Sequence, residues 1–367
     1  SSGTVNTSGV NASSGVRPVI SLSSEAKLTG DGTWNNVFEV EKKGYETILA
    51  NNTVHETTPD FSKVATTNEG MYAADDDYTA TTGMKSYYFR GAVDNNWVKF
   101  GKDSNGEDIY WRIIRINGDG SIRMIYTGTS KPESGTATVM TGEGTQISTS
   151  AFNSSYNNPA YVGYMYTASA QHGNSTSSPI KTTIDNWYKT TTLETDTTTK
   201  SLVADQIFCN DRSATTSSSG TPGEISGSMS TSTDYLYGAY VRLVTNKSPQ
   251  LKCPTASDKF TVNTSNGNGA LTYPVGIITA DEVAMAGGIY DFVNTNSSYY
   301  LYTNQDYWLG SPYRFYSSRA SEFYVTSSGY LGSGRMAYTI GARPVVSLSS
   351  KAKLSGNGTY SNPYTVS

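Results

Sequence analysis

The sequence has few of the side chains on which enzyme sites usually depend. It contains two histidines in 367 residues, His55 and His172, and both lie in stretches typical of loops. A nucleophile needs a base within reach, and the residues after Glu56 are Thr-Thr-Pro, so the zinc-protease motif with two histidines is missing. We therefore predict a protein that is not an enzyme and that holds no cofactor.

Charge of either sign is also scarce. Charged residues make up 16% of the chain and the net charge is −4, so a basic surface for nucleic acid or for an anionic membrane is not expected. No apolar run is long enough to cross a bilayer, and no signal peptide is visible. We expect no nucleic-acid partner and no membrane insertion in this segment, with any export signal or wall anchor removed or located outside it.

Only two cysteines, Cys209 and Cys253, are present. They lack the Cys/His spacing of a zinc site, and a single disulfide between them is the preferred interpretation. It would close a loop rich in Ser, Gly and Thr and contribute about 3–4 kcal/mol. A disulfide indicates an oxidising, extracellular or cell-surface setting; the alternative is two reduced, buried cysteines in a cytosolic protein.

Two groups of carboxylates could suggest chemistry. Asp75, Asp76 and Asp77 offer oxygen ligands for Ca²⁺, but the spacing of a known calcium loop is missing, so a solvated turn is preferred over a metal site. Asp281 and Glu282 are adjacent, whereas the carboxylates of a glycosidase must face each other about 5–10 Å apart. We expect this pair to stabilise the start of a helix.

Tyrosine and glycine are abundant, with 28 and 35 copies, which is typical of short strands joined by tight turns. Residues 110–116 and 121–126 flank the sequence Asn-Gly-Asp-Gly at 117–120. Positive φ angles are needed at such a turn, and these residues adopt them, so a hairpin is predicted. Residues 87–90 and 97–100 predict two further strands.

Two or three short helices are expected in this β-rich chain. Residues 44–49 and 180–188 have helical character, the second through apolar residues at helical spacing. A third helix should begin at Thr279, which forms a capping box with Glu282, and end at Gly287. Short helices among many strands predict the α+β class.

The chain repeats its own end. Residues 15–40 align without a gap on residues 341–366, at an offset of 326 (343 minus 17), and 16 of these 26 positions are identical. Such a duplication remains when one unit is taken from a tandem array, or arises when each subunit lends an end segment to the next. We therefore predict an N-terminal β arm at 1–41 and a domain at 42–367; a fragment of two domains that merely lean on each other is the alternative.

The arm residues expected to mediate assembly are those that repeat the apolar pattern and the Arg-Pro pair of the C-terminal segment. They are Arg17, Pro18, Val19, Ile20, Leu22, Leu28, Trp34, Phe38 and Val40. Arg17 and Arg343 are expected to bond carbonyls or carboxylates in equivalent pockets.

The order of six segments resembles a family of secreted or surface modules from Gram-positive-type bacteria. The segments are YYFRGAV at 87–93, YWRIIRINGDGSIRMIY at 110–126, FCNDRS at 208–213, YPVGIITADEVAMAGG at 273–288, YWLGSPY at 307–313 and GARPVVSL at 341–348. Those modules are similar to the C-type-lectin-like fold of formylglycine-generating enzymes and retroelement-diversified receptors. The resemblance covers about residues 45–367 and implies a twisted antiparallel core with core strands at Trp308 and Arg343. It does not extend to the paired late cysteines of formylglycine-generating enzymes, because no cysteine follows Cys253.

Residues 290–340 combine many tyrosines with Asn, Ser, Gly and Arg, a mixture that antibody loops favour for binding. Core or intersubunit packing is the competing explanation for these rings. The candidate ligand-binding residues are Tyr299, Tyr300, Tyr302, Tyr313, Arg314 and Tyr316.

Together these features predict an extracellular structural building block whose partners are other copies of itself. It would assemble head to tail, or in tandem, into a surface fibre or filament. The alternative is an adhesin or lectin-like receptor that binds a glycan or a host or bacterial surface protein through residues 290–340.

Overall fold

The computed structural model describes residues 17–22, 28–40, 42–75, 85–290 and 292–367. The chain divides into two units, Ser1–Lys42 and Lys43–Ser367, which we call the arm and the body. Parts of the predicted arm, residues 1–16, 23–27 and 41, lie outside the described residues, as do Asp76 and Asp77 of the predicted acidic turn.

Most of the regular structure is β. In chain order the strands are β1 Leu28–Thr29, β2 Glu39–Val40, β3 Val54–His55, β4 Asn68–Asp75, β5 Lys85–Gly91, β6 Trp97–Lys102, β7 Asp108–Ile116, β8 Ile122–Gly128, β9 Ser148–Ala151, β10 Met165–Tyr166, β11 Thr176–Ser177, β12 Val203–Ala204, β13 Phe208–Cys209, β14 Ala214–Thr215, β15 Tyr235–Tyr237, β16 Lys259–Phe260, β17 Tyr307–Tyr316, β18 Arg319–Val325, β19 Leu331–Arg335, β20 Thr339–Ala342, β21 Val345–Leu348, β22 Leu354–Ser355 and β23 Tyr364–Val366.

The helices are short. They are α1 Gly44–Ala50, α2 Pro179–Tyr188, α3 Thr192–Thr195, α4 Thr197–Ser201, α5 Gly238–Tyr240, which continues as a π turn over Val241–Thr245, and α6 Ala280–Ala286. The predicted helices correspond to α1, α2 and α6. In α6 the Thr279 hydroxyl accepts the Glu282 amide proton at 3.2 Å, Glu282 Oε2 accepts the Thr279 amide proton at 2.9 Å, and Gly287 ends the helix with φ of 117°.

The described part of the body contains two large sheets and two two-stranded ribbons, β10–β11 and β13–β16. The larger has the order β12-β21-β8-β7-β5-β4-β3, with β6 also paired to β7 and the β22–β23 hairpin attached to β6. The second has the order β14-β15-β17-β18-β19, with β20 joining β17 to β9. Their apolar faces and α2 and α6 contribute to one main core, which includes Trp111, Ile184, Val283 and Trp308.

The predicted hairpin of residues 110–126 is confirmed as β7 and β8. The Asn117 amide donates to the Ser121 carbonyl at 2.8 Å, and Gly120 has a φ of 82°, which glycine adopts without steric cost. The strands predicted at 87–90 and 97–100 are β5 and β6, and both pair with β7. A β-rich chain with a few short helices is confirmed, consistent with the α+β class; the C-type-lectin-like fold stays a prediction.

Candidate assembly site: the closing segment and the arm

Residues 341–366 of the body, which we call the closing segment, complete both sheets. Their first two residues end β20 in the smaller sheet, and β21 then lies in the larger sheet between β8 and β12. The hairpin of β22 and β23 follows, and β23 runs parallel to β6. A segment that belongs to two sheets holds them together.

Strand β21 occupies a slot with hydrogen-bonding partners on both sides. On one side Val346 faces Met124 and Leu348 faces Ile122 of β8; on the other, Leu348 faces Val203 of β12. Val346 and Leu348 are fully buried. Apolar side chains on both faces and strands on both edges are typical of a central strand.

Arg343 anchors the start of this strand. Its guanidinium is buried and donates to the carbonyl oxygens of Tyr126 at 2.9 Å, Thr145 at 3.1 Å and Leu301 at 3.2 Å. It also lies 4.6 Å from the centre of the Tyr307 ring. Burial lowers the pKa of Arg343, which the neighbouring tyrosines partly offset. The expected bonding of Arg343 to carbonyls is thus observed.

The arm forms the same hairpin as the end of the closing segment. Leu28 faces Val40 and Thr29 faces Glu39 in the arm, and the aligned body residues pair in the same register: Leu354 with Val366 and Ser355 with Thr365.

The turns of the two hairpins also agree in their hydrogen bonds. In the arm, Asn36 accepts from the amides of Asp31 and Gly32 through its carbonyl, and its own amide donates to Thr33. In the body, Asn362 makes the three equivalent bonds to Asn357, Gly358 and Thr359. The paired glycines have matching conformations, with φ of 77° at Gly32 and 78° at Gly358. Residues 28–40 therefore fold as a copy of residues 354–366.

Residues that are buried in the closing segment have exposed counterparts in the arm. Val19 and Ile20 of the arm are 91% and 83% exposed, whereas Val345 and Val346 are fully buried. Trp34 is 94% exposed, and its counterpart Tyr360 packs beside the buried Trp97. All nine predicted assembly residues are exposed: Arg17, Pro18, Val19, Ile20, Leu22, Leu28, Trp34, Phe38 and Val40.

The candidate ligand-binding residues do not form one surface. Tyr299, Tyr300 and Tyr313 are buried in the main core. Tyr302 and Arg314 are half-buried, and Tyr316 is exposed. The Arg314 guanidinium lies 5.2 Å from the Tyr313 ring centre and 4.8 Å from that of Tyr316. For the three buried rings, the structure places the side chains in packing rather than at the surface.

The predicted disulfide between Cys209 and Cys253 is present, and both residues are buried. Cys209 belongs to β13, which pairs with β16. The bond therefore ties the loop that contains Cys253 to a small ribbon against the core.

A buried polar cluster around Asp258 was not anticipated from the sequence. Its Oδ2 accepts from the Arg212 backbone amide at 2.8 Å and lies 3.0 Å from His172 Nδ1, while Oδ1 accepts from Arg212 Nε at 2.8 Å. Arg212 also donates to the carbonyls of Met165 and Gly173. The cluster fixes the loop of residues 165–174, and no local pattern could have revealed partners 86 residues apart.

His172 also lines a polar cavity of about 320 Å³ with Gln171 and Glu224. Gln171 uses its amide to bind the carbonyls of Arg212 and Gly223 and the amide of Ile225. These contacts fix the cavity wall.

The adjacent carboxylates Asp281 and Glu282 have structural partners. Asp281 forms an ion pair with Arg242 at 2.8 Å, and Glu282 forms ion pairs with Arg123 at 2.6 Å and Arg115 at 3.6 Å. Burial opposes ionisation of Glu282, but the two arginines and the Thr279 hydrogen bonds overcome it, so its pKa is lowered. Among the described residues no group of three His, Cys, Asp or Glu side chains could hold a metal.

None of the described helices is long and apolar enough to span a membrane. Comparison of the chain with protein-family models, with curated proteins and with solved structures found no match.

Proposed function

We propose that this protein is an extracellular structural building block that joins other domains of its own kind into an extended surface assembly. The joints are made by its two matching terminal segments, the arm and the closing segment. Domains are connected head to tail between chains, or in tandem within one polypeptide. The protein's role is mechanical, and it carries out no catalysis.

One observation carries the proposal: the arm repeats the register and turn of a hairpin that completes the body, yet its apolar residues are exposed. Fully burying a Val, Leu or Ile side chain contributes about 1.5–3 kcal/mol. Val19, Ile20 and Leu22 would together gain several such contributions on reaching a complementary surface. Exposed apolar surface of this kind is typical of an interface.

A head-to-tail contact between two different surfaces supports an extended assembly. The arm and its receiving site are different parts of one chain, so an assembly of any length ends in one arm that is not docked and one body that has not received an arm. Heterologous contacts of this type produce filaments unless the rotation closes a ring. Repeats joined in tandem give an extended array for the same reason.

The disulfide between Cys209 and Cys253 supports an extracellular location, because such bonds persist in oxidising compartments. A scarcity of charge also suits a densely packed array, since neighbouring copies repel one another weakly.

The experiment is sedimentation velocity and electron microscopy at physiological salt over a range of protein concentrations. The complete chain is compared with a chain that lacks residues 1–41 and with the matched variant Arg17→Ala/Ile20→Asp. We expect extended species that grow with concentration for the complete chain alone. Long fibres from the truncated chain would refute the role of the arm.

A second candidate, an adhesin that binds a glycan or protein, is favoured by one surface feature. Phe292 and Tyr316 are 64% and 51% exposed, and Arg314 lies against the Tyr316 ring. Glycan-array screening of the parent and of Tyr316→Ala separates this candidate from the first. Specific binding that Tyr316→Ala abolishes would favour recognition.

A further inference from the structure

We infer that the arm is an interchangeable closing segment. Its described residues, 17–22 and 28–40, take the places of residues 343–348 and 354–366 in a body of this fold when that body's own closing segment is absent or displaced. The inference rests on the proposed function and specifies its partner: the vacated slot of a body of the same kind, rather than the outer surface of a body that keeps its closing segment in place.

The slot between β8 and β12 accepts only apolar side chains of a certain size, and the arm supplies such side chains. In the body, Val345, Val346 and Leu348 fill it with fully buried side chains. The arm supplies Val19 and Leu22 unchanged and replaces Val346 by Ile20, which adds a single methylene group. Substitutions of similar shape and volume are the ones that cores accept best.

The pocket of Arg343 gives the slot its specificity. Three backbone carbonyls, those of Tyr126, Thr145 and Leu301, converge on one guanidinium. Without that group the carbonyls lose a buried, charged donor. Arg17 is followed by Pro18 as Arg343 is followed by Pro344. The arm therefore carries the same donor two residues before Val19, as the body carries it two residues before Val345.

The hairpin completes the match. In the body β23 runs parallel to β6, with Tyr364 facing Val98. The corresponding hairpin is already folded in the arm, with Leu28 opposite Val40. A preformed hairpin loses less conformational entropy on docking than an unfolded peptide does.

A complete body does not readily accept the arm. Its own closing segment is attached to it, and such attachment provides an effective concentration in the millimolar range. Because the competing segments are identical at 16 of 26 positions, the arm gains little by replacing one with the other. The acceptor is therefore a body whose segment has left the slot. In the parent chain the arm competes with this attached segment, so assembly by exchange is favoured at high protein concentration.

The start of the body lies beside the end of the slot. In the body Ser367 exchanges two backbone hydrogen bonds with Lys353, and the Gly44 amide donates to the adjacent Ala352 carbonyl at 2.9 Å. The end and the start of the body thus meet at neighbouring residues. In the arm, three residues separate Val40 from Gly44, and three residues span about 10 Å.

The test is a double-mutant cycle in the complete chain. The closing-segment variant is Arg343→Ala/Val346→Asp, the arm variant is Arg17→Ala/Ile20→Asp, and the third protein carries all four changes. Urea unfolding of the body is measured for each, with sedimentation velocity to show whether rescue occurs within or between chains. If the two segments can replace each other, the changes in the free energy of unfolding caused by the two variants will not add up to the change in the protein that carries both.

We expect the arm variant alone to unfold like the parent. The folding equilibrium constant of the protein with all four changes should be at least tenfold lower than that of the closing-segment variant. The reason is that the changed arm no longer fills the slot. Strictly additive effects in a folded closing-segment variant would overturn the inference.

A second variant, a chimera, covers the case in which Arg343→Ala/Val346→Asp does not fold. In the chimera, the sequence of residues 15–40 replaces that of residues 341–366, and the rest of the chain is unchanged. We expect cooperative unfolding with a Tm within a few degrees of the parent, and a large loss when Arg343→Ala and Arg17→Ala are added together. An unfolded chimera would overturn the inference but leave arm-dependent assembly of the parent intact; a folded chimera with a parent that never assembles would refute only the proposed function.

Discussion

Arg17 and Arg343 stand at equivalent positions of a repeated segment, yet Arg343 is buried against three carbonyls and Arg17 is exposed. The same local sequence therefore exists in a buried and an exposed state within one chain. This difference makes the two arginines matched reporters of stability and of assembly.

Replacing Arg343 by Ala in a chain that also carries Arg17→Ala, so that the arm cannot substitute for the closing segment, should destabilise the body by about 3 kcal/mol, because buried carbonyls lose their charged donor. Arg17→Ala is the internal control and should leave the Tm of the dispersed chain unchanged. Urea unfolding followed by tryptophan fluorescence measures both. Equal losses of stability in the two variants would contradict the structural distinction between the segments.

Glu282→Gln should destabilise the body by about 3–5 kcal/mol at neutral pH, because it leaves the buried arginines Arg115 and Arg123 without their carboxylate. The pKa of Glu282 is lowered by folding. Its ionisation therefore stabilises the parent above the unfolded pKa of about 4.3, and this contribution is lost as pH falls through the folded pKa. Unfolding at pH 7 and pH 4 should show a smaller difference between parent and variant at the lower pH.

Glu322 should show the opposite pH dependence. It is fully buried in β18, neither carboxyl oxygen has a hydrogen-bond partner among the described residues, and burial raises its pKa well above the usual value, against the opposing effect of Arg212. The folded state thus keeps a proton that the unfolded state loses. Stability is complete below the unfolded pKa and falls as pH rises, by up to about 1.4 kcal/mol per pH unit.

Glu322→Gln removes this titration while keeping the shape of the protonated side chain. We expect the variant to gain stability relative to the parent between pH 5 and pH 8, and to match it near pH 4. Urea unfolding at four pH values provides the measurement. A constant difference across the range would show that Glu322 does not titrate as its burial requires.

Removing the disulfide by Cys209→Ser/Cys253→Ser should cost about 4 kcal/mol, as estimated from the entropy of the loop that spans 44 residues. The parent treated with a strong reductant under native conditions serves as the matched sample. Both should unfold at lower urea concentration than the oxidised parent. An unchanged midpoint would mean that the closed loop is already restricted in the unfolded chain.

The features predicted correctly from the sequence are those that depend on neighbouring residues. The Asn-Gly-Asp-Gly turn between β7 and β8 and the capping box of Thr279 and Glu282 are set by local chemistry, which a sequence displays directly. The short helices α3 to α5 depend on tertiary packing instead, and no strong periodicity marked them.

The candidate sites show a similar division. The repeat identified the arm and the closing segment because identity at a fixed offset does not require knowledge of the fold. The burial of Tyr299 and Tyr300 could not be inferred, because a tyrosine-rich loop and a tyrosine-rich core have the same composition. The cluster of His172, Arg212 and Asp258 was also inaccessible, since its members meet only through the fold.

Amide hydrogen exchange of Val19 to Leu22 shows whether the arm becomes a buried strand when the protein assembles. It is measured in assembled material and in the dispersed chain, with the amides of Val345 to Leu348 as the reference for a buried strand. We expect assembly to slow exchange in the arm by roughly 100-fold or more, towards the rate of the reference strand. Assembled material in which these arm amides exchange as fast as in the dispersed chain would contradict this expectation.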